Sequence, residues 1–400
     1  MNSVIIKKGR EKPIVQQHPW VFSGAIEAVR GNPEPGEIVT VQSKEGKFLA
    51  RGYWNPTSQI QVRILTWKDE PVDDTWWLAK LDQAIRARAH HPTPTALRLV
   101  NAESDYLPGL IVDRYGDTLV VQSLTLGIET RKAELVEMLA DLVQPAGIYE
   151  RSDVDVRQKE GLDQAKGLLW GEEPPKRIEI DEFGVRVLVD VVNGHKTGYY
   201  LDQMANRAKL RNLLAPLAMS APNDFRFINL FSFTGSFGLH AMAMGAGYVL
   251  NVDSYREALQ TAEDIAKLND PDWKKRSDYI MGDAFQLLRD FAQTGDMYDM
   301  VVLDPPKFAH SAGQVEKAAR GYKDLNLHAF KVVKPGGHLM TFSCSGAVSA
   351  DLFQKIVFGA LADAGRQAQI VEHLEAGQDH PVALTFPEGA YLKGLLLRVY

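Results

Sequence analysis

The sequence predicts an α/β protein in three parts: a small β-barrel, a small α+β insert and then a doubly wound parallel sheet. Three observations predict it. Residues 227–253, FINLFSFTGSFGLHAMAMGAGYVLNVD, read as strand, glycine turn, helix and strand, closing on an acid. Apolar strand-like runs then alternate with helix-compatible stretches, at Tyr248–Val252, Asp278–Met281, Met300–Leu303 and His338–Ser343. Residues 1–70, by contrast, hold many short strand-like runs broken by Gly31-Asn32-Pro33 and Pro35-Gly36.

The early runs are Ser3–Ile6, Trp20–Phe22, Ile38–Gln42, Phe48–Tyr53 and Gln59–Leu65, which suggests a small barrel. Trp20, Phe22, Tyr53 and Trp54 are expected mostly in its core, with one or two exposed to stack on bases. A helix is expected over residues 71–95. It starts at Pro71 and Asp73-Asp74, ends at His91-Pro92-Thr93-Pro94 and buries Trp77, Leu78, Leu81 and Ile85. Residues 97–170 form the insert. Its strands are Ala96–Asn101, Gly109–Tyr115, Thr118–Ser123 and Ala146–Glu150, with a helix at Ile128–Leu142 and a turn at Tyr106–Gly109. Residues 177–192 alternate around Asp181-Glu182-Phe183-Gly184, which reads as a hairpin. The run Gly194–Gln203 follows, then a helix through Leu214. The three parts are placed at residues 1–72, 73–176 and 177–400.

Composition narrows the class. The 400 residues carry a formal net charge of −6, so no global basic excess points to nucleic acid. The charge is uneven: residues 1–68 hold ten Lys/Arg against five Asp/Glu, a local +5, which leaves −11 for the rest. A basic module on an acidic body fits a phosphate-binding appendage. The single cysteine, Cys344, excludes an intramolecular disulfide framework and a thiolate metal cluster. The ten histidines show no metal spacing, and His90-His91 are expected to point apart on a helix. MNSVIIKKGREK has too short an apolar run for a signal peptide, and no stretch approaches 18 apolar residues, so a cytoplasmic, non-membrane protein is expected.

The turn at Phe231–Gly235 favours one type of ligand. A dinucleotide loop needs glycines where Phe231 and Phe233 stand, and their bulk would crowd a pyrophosphate. S-adenosylmethionine carries no phosphate and needs only a looser turn. A P-loop is excluded, because His195 in Gly194-His195-Lys196-Thr197 occupies the second glycine position.

Polar residues gather at successive strand ends, where open α/β sheets bind ligands. Asp253 ends the second strand and can take ribose hydroxyls. Asp283, in Gly282-Asp283-Ala284, can accept from an adenine amine. Asp304-Pro305-Pro306-Lys307-Phe308 ends the fourth strand and Ser343-Cys344-Ser345-Gly346 the fifth. Two prolines make the fourth turn rigid enough to hold a flat base. Asp-Pro-Pro-aromatic turns suit amine methylation, but Lys307 holds the aromatic position, so that chemistry stays open without being the best fit. A thiolate adding to carbon 6 of a pyrimidine makes carbon 5 nucleophilic, and Cys344 with Asp304 meets that need. Lys307 is the basic neighbour considered for lowering the thiol's proton affinity. An inert, buried cysteine is an equal reading from chemistry alone; the flanking Ser343, Ser345 and Gly346 favour function.

The stretches HPWVFSGAI (18–26), GHKTGYYLDQ (194–203), NLFSFTGSFG (229–238), DPPKF (304–308), RGYKDLN (320–326), TFSCS (341–345) and DHPVALTFPEGAYLKG (379–394) carry a resemblance over essentially the whole chain. The sequence resembles the RlmI-type class I methyltransferases, cytosine-5 methyltransferases of large-subunit ribosomal RNA. The resemblance implies an N-terminal PUA domain for RNA, a central small domain and a C-terminal Rossmann-like methyltransferase domain. It implies Cys344 as nucleophile and Asp304 as the residue that orients the cytosine. Phe231, Ser232, Phe233, Thr234, Gly235, Asp253, Ser254, Asp283, Ala284 and Asp304 would bind S-adenosylmethionine, with Tyr200 and Gln203 closing over it. Pro305, Pro306, Lys307 and Phe308 would face the base. Ribosomal RNA is the implied partner, and a homodimer the implied assembly. Many cytosine-5 RNA enzymes carry a second cysteine that helps release product; Pro306-Lys307 stands there in this chain. Another base, or water, must serve. His380 is one polar candidate, with a structural role the stronger expectation.

Overall fold

A computed structural model describes residues 2–93, 95–220 and 224–400. Pro94, part of the run expected to end the first long helix, lies outside the described residues. The chain folds as two units. The first takes Met1–Ile180, Val189–Leu201 and Gln378–Gly389; the second takes Asp181–Leu188, Asp202–Gly377 and Ala390–Tyr400.

The first unit holds two sheets. One is built from β1 (Ser3–Ile6), β2 (Trp20–Phe22), β3 (Ile26–Arg30), β4 (Ile38–Gln42), β5 (Phe48–Trp54) and β6 (Ile60–Thr66), with a short helix α1 (Lys12–Val15). Its order is β2-β6-β5-β4-β1-β3. Val4, Ile6, Val39, Val41, Val62 and Ile64 form its core. β3 was not expected. It is an edge strand paired only with β1, and four of its five side chains face solvent, so it lacks an alternating signal. Of the four early aromatics, Tyr53 and Trp54 are buried and Phe22 stands 48% exposed.

Helix α2 (Asp74–Arg86) is capped by Asp73, whose side chain accepts from the Trp76 amide. It is shorter than expected. It stops where Arg88 turns back to bond the Ala84 carbonyl and, in two parallel bonds, Asp105. His90 and His91 therefore lie beyond the helix rather than on it. The buried face is also turned: Trp76, Trp77, Leu81 and Ala84 face the core, whereas Leu78 is 41% exposed. The two tryptophan rings pack edge-on at 5.1 Å on that face.

The second sheet contains β7 (Ala96–Asn101), β8 (Leu110–Tyr115), β9 (Thr118–Ser123), β10 (Gly147–Ser152) and β11 (Ala165–Gly171), in the order β11-β10-β9-β8-β7. Helices α3 (Leu126–Glu129) and α4 (Lys132–Val143) complete this α+β part. β11 was not expected; it is a half-exposed edge strand interrupted by Gly167. Two distant segments belong to this unit. Residues 189–201 are held by Arg151, which donates to the Val191 and Gly194 carbonyls, and by Thr197, whose hydroxyl donates to Asp113. Residues 378–389 are held by Asp379, which accepts from the Arg98 amide, and by Asn101, which donates to the Pro381 carbonyl.

Strands β12 (Ile178–Glu182) and β13 (Val185–Val189) form the expected hairpin, with Gly184 at φ +80° in its turn. The second unit continues through α5 (Met204–Ser220), β14 (Arg226–Leu230), α6 (Ser236–Ala243), β15 (Tyr248–Asp253), α7 (Arg256–Asn269), α8 (Trp273–Arg276) and β16 (Ser277–Met281). Then come α9 (Ala284–Thr294), β17 (Tyr298–Leu303), α10 (Val315–Val332), β18 (Val333–Ser343), α11 (Ala350–Ala364), β19 (Ala368–Glu375) and β20 (Lys393–Val399). The sheet order is β16-β15-β14-β17-β18-β20-β19. β14 to β18 pair in parallel, as expected. β20 runs antiparallel to both β18 and β19.

Apolar layers cover both faces of this sheet, one around Ile228, Leu230, Leu303 and Phe330, the other around Phe227, Val249, Met300 and Phe342. A buried charge cluster sits inside this unit. Arg207 of α5 pairs with Glu182 at 2.6 Å, and His240 of α6 lies 3.1 Å from the same carboxylate. Burial would raise the Glu182 carboxyl, but Arg207 and His240 hold it down to about 2. No helix among the described residues is long and apolar enough to cross a membrane.

Candidate active site

The site is built at the carboxyl ends of β14 to β18. β14 ends at Leu230 and the chain turns through Phe231–Gly235. Phe231 and Phe233 both adopt left-handed backbone, at φ +60° and +48°. These are the positions where a dinucleotide loop carries glycine, so the loop keeps a glycine-like path with aromatic side chains. A side chain in that conformation costs about 1–2 kcal/mol. Surrounding bonds hold it there: the Phe233 amide donates to Asp253 Oδ2 at 2.7 Å and the Ser232 amide to the Val252 carbonyl at 2.9 Å. Gly235 follows at φ +75° and leads into α6. Gly238 lets α6 approach β15, since a Cβ there would lie 2.4 Å from Asn251 Oδ1.

Asp253 ends β15 half-buried, and its second oxygen accepts from the Tyr255 amide at 2.9 Å. Ser254 is exposed beside it. Asp283 caps α9 by accepting from the Phe285 amide at 2.8 Å, with Ala284 buried behind it. The hydroxyls of Ser232 and Thr234 are buried yet have no hydrogen-bond partner among the described residues. Two orphaned hydroxyls in one loop mark a place for a polar ligand.

Asp304 follows β17. The amide of Gln203, a buried residue, donates to Asp304 Oδ1 at 2.9 Å. Pro305 is buried; Pro306 and Lys307 are exposed. Phe308 packs its ring 4.7 Å from Tyr322 and 6.0 Å from Phe285, and Phe285 in turn meets Phe231 edge-on. An aromatic row thus joins the first turn to the fourth.

Cys344 follows β18, half-buried, with Sγ 4.0 Å from the Pro305 carbonyl. Its neighbours are pinned. Ser345 Oγ accepts from the Phe308 and Ala309 amides at 3.2 and 3.1 Å. Both lone pairs are then used, so its proton goes to the Tyr322 hydroxyl oxygen, 2.9 Å away. Ser343 donates to the same oxygen at 2.9 Å. Residues 343 and 345 therefore both lean on Tyr322, and Ser345 couples the Cys344 loop to the Asp304 turn. Burial pushes the Tyr322 phenol up, which keeps it protonated. On β20, Lys393 stands in register with Ser343, and its ammonium donates to the Ser345 and Val348 carbonyls. Burial pushes Lys393 down to about 8; Cys344 opposes this and Lys307 adds to it.

Thus the second unit brings together the Phe231–Gly235 turn, Asp253, Asp283, Asp304, Gln203 and Cys344. Tyr200 belongs to the first unit, where the Lys196 ammonium lies 4.3 Å from its ring centre and its hydroxyl lies 3.4 Å from His195 Nδ1. His380 also belongs to the first unit, buried with Nδ1 3.0 Å from Asp379, a structural placement. Neither Tyr322 nor Lys393 stands in a sequence pattern that assigns it a role, and Ser345 is marked only as a polar neighbour of Cys344. The register that brings Lys393 to Ser343 could be read only with β20 in hand.

A family model described as S-adenosylmethionine-dependent methyltransferase matches residues 138–398, and a PUA-like domain model matches residues 4–67. Ribosomal RNA large subunit methyltransferase I of Tolumonas auensis is 47% identical, over 99% of both chains. The chain belongs to this methyltransferase family. The protein of the same name from Aliivibrio fischeri is 45% identical, also over 99% of both chains. A SAM-dependent methyltransferase structure from Streptococcus mutans superposes with a TM-score of 0.82 at 20% identity, covering 100% of each chain, which shows the shared fold. The methyltransferase uses S-adenosylmethionine. The loop fits that group: its two orphaned hydroxyls and the Asp253 carboxylate offer polar atoms, and the aromatic turn leaves no pyrophosphate cradle.

Proposed function

We propose that this chain methylates carbon 5 of a cytosine in large-subunit ribosomal RNA, through a covalent bond from Cys344 to carbon 6. Its curated relatives are named for large-subunit ribosomal RNA. One observation carries the choice of chemistry: the chain's only thiol sits 4.0 Å from the Pro305 carbonyl, just past the end of the strand that pairs with the one before Asp304.

Bound S-adenosylmethionine supplies a methyl group on a sulfonium. The Phe231–Gly235 turn, Asp253, Ser254, Asp283 and Ala284 would hold it, with Gln203 as a further contact. Pro305, Pro306, Lys307 and Phe308 would face the base. The Cys344 thiolate adds to carbon 6, and the displaced electron pair makes carbon 5 nucleophilic. Asp304, the acid beside N3, orients the base and steadies the charge that develops there. Carbon 5 would take the methyl group as the methyl–sulfonium bond breaks, the bonding pair staying on the donor's sulfur, which would leave as the neutral thioether. A base or water then removes the carbon 5 proton, the sulfur–carbon 6 bond breaks, and the Cys344 thiolate returns. Residues 1–72 would form the RNA-binding module, with exposed Phe22 offering a stacking surface. Residues 73–176 would be the central domain and 177–400 the methyltransferase domain.

The test is nucleoside mass analysis of ribosomal RNA from cells lacking the protein, complemented with wild type or Cys344→Ala. Loss of one 5-methylcytidine that only wild type restores supports the reading. Restoration by both versions overturns it and moves the search to amine methylation at the Asp304 turn.

A further inference from the structure

Lys393 is 8% exposed, and its ammonium is bonded only to two neutral carbonyls, those of Ser345 at 2.8 Å and Val348 at 2.6 Å. The other buried cations of this chain are matched by acids: Arg63 by Glu103 and Glu160, Arg98 by Asp113, Arg207 by Glu182. Among the described residues no carboxylate pairs with Lys393. A buried ammonium without an anion is costly. Its position says where the anion lies. Lys393 is in register with Ser343, the residue before Cys344, and bonds the carbonyl of Ser345, the residue after it.

The ionisable groups that act on the ammonium are Cys344, from the end of β18, and Lys307, from the turn after β17. The Tyr322 phenol, from α10, acts on Cys344's surroundings but is kept protonated by burial. Lys307 is exposed and itself cationic. Cys344 alone can supply the negative charge.

We propose that Lys393 is the fixed counter-cation of the Cys344 thiolate. The proposal rests on the reading of Cys344 as nucleophile and adds a positioning residue to it. Two of the three ammonium protons clamp the loop behind the cysteine, and the charge keeps sulfur ionised before substrate arrives. This role falls to a buried lysine on a neighbouring strand rather than to Lys307.

Because the chain has one cysteine, alkylation reads Cys344 alone. The experiment is the rate of iodoacetamide alkylation against pH on the full chain. Wild type should show a midpoint below the free-thiol value of about 8.5. Lys393→Gln keeps hydrogen-bond donors and removes the charge; it should raise the midpoint by about one unit and slow alkylation at neutral pH about tenfold. Lys393→Arg should stay near wild type. An unchanged midpoint in Lys393→Gln overturns the proposal. The reciprocal measurement holds even if that variant does not fold: in Cys344→Ala the Lys393 ammonium, followed by carbon-detected NMR, should lose its proton at lower pH. The same Lys393 titration in both proteins overturns the proposal. If Cys344→Ala still methylates cytosine while these midpoints move, the ion pair stands and the nucleophile reading falls. If the mark is lost and the midpoints stay, the nucleophile reading stands and the ion pair falls.

Discussion

The Gln203 amide donates to Asp304 Oδ1 at 2.9 Å, and the Gln203 carbonyl accepts from Asn206 Nδ2 at 2.7 Å. The fourth strand end is thus steadied from the start of α5. Gln203→Ala is expected to lower methyl-transfer kcat about ten- to a hundredfold, because Asp304, proposed above to orient the base, would lose alignment. S-adenosylmethionine affinity, measured by calorimetry, should fall as well, because Gln203 is also proposed to contact the methyl donor. An unchanged kcat would show that Asp304 needs no such support.

Gly238 is the close-approach residue of α6. A Cβ there would lie 2.4 Å from Asn251 Oδ1 and 2.9 Å from Val249 Cγ1. Gly238→Ala should cost about 1–3 kcal/mol in denaturant unfolding. It should also weaken S-adenosylmethionine binding, since α6 carries the end of the Phe231–Gly235 turn. Wild-type stability in this variant would mean that α6 shifts freely.

Arg207 and Glu182 are both fully buried. Arg207→Met leaves the carboxylate with His240 as its remaining named partner and should cost about 3–5 kcal/mol. Pairing it with Glu182→Leu should recover much of that loss, which a double-mutant cycle in urea would record.

His338 on β18 is buried, and its Nε2 accepts from Arg398 Nε at 3.4 Å. Burial and the Arg398 charge push the imidazole down to about 4, from an ordinary 6.5. A base whose folded value is lowered is neutral in the fold and binds protons more readily when unfolded. Its contribution to stability is therefore full above 6.5 and is lost as pH falls from 6.5 towards 4. His240 is lowered in the same direction by burial. The His338→Gln variant should lose Tm less steeply than wild type across that window in calorimetry, and equal slopes would count against it.

The parallel core of the sheet was legible because β14, β15 and β17 are buried, largely apolar runs, β15 closing on Asp253 and β17 followed by Asp304-Pro305. The acids at the tips of β15 and β17 were legible for the same reason. What escaped were edges and reversals. β3 and β11 show little burial and carry no alternating pattern strong enough to announce them. β20 is apolar, yet its antiparallel placement depends on β19, whose exposed Gln369, Ile370 and Val371 resemble a loop. Without β20, Lys393 had no address, and exposed Lys307 was the natural choice beside Cys344. The left-handed path of Phe231 and Phe233 was also hidden, because nothing in an aromatic side chain asks for it.

The chain passes from one unit to the other five times. Residues 189–201 and 378–389 depend on Arg151, Asp113, Arg98 and Asn101, all encoded far upstream. No single cut can therefore lift the catalytic half out whole. A gene fragment beginning at residue 177 would carry both segments away from their anchors and leave the first unit without them. Recombination among relatives should accordingly exchange these chains entire, and a functional chimera would need its junctions placed at several of these passages at once.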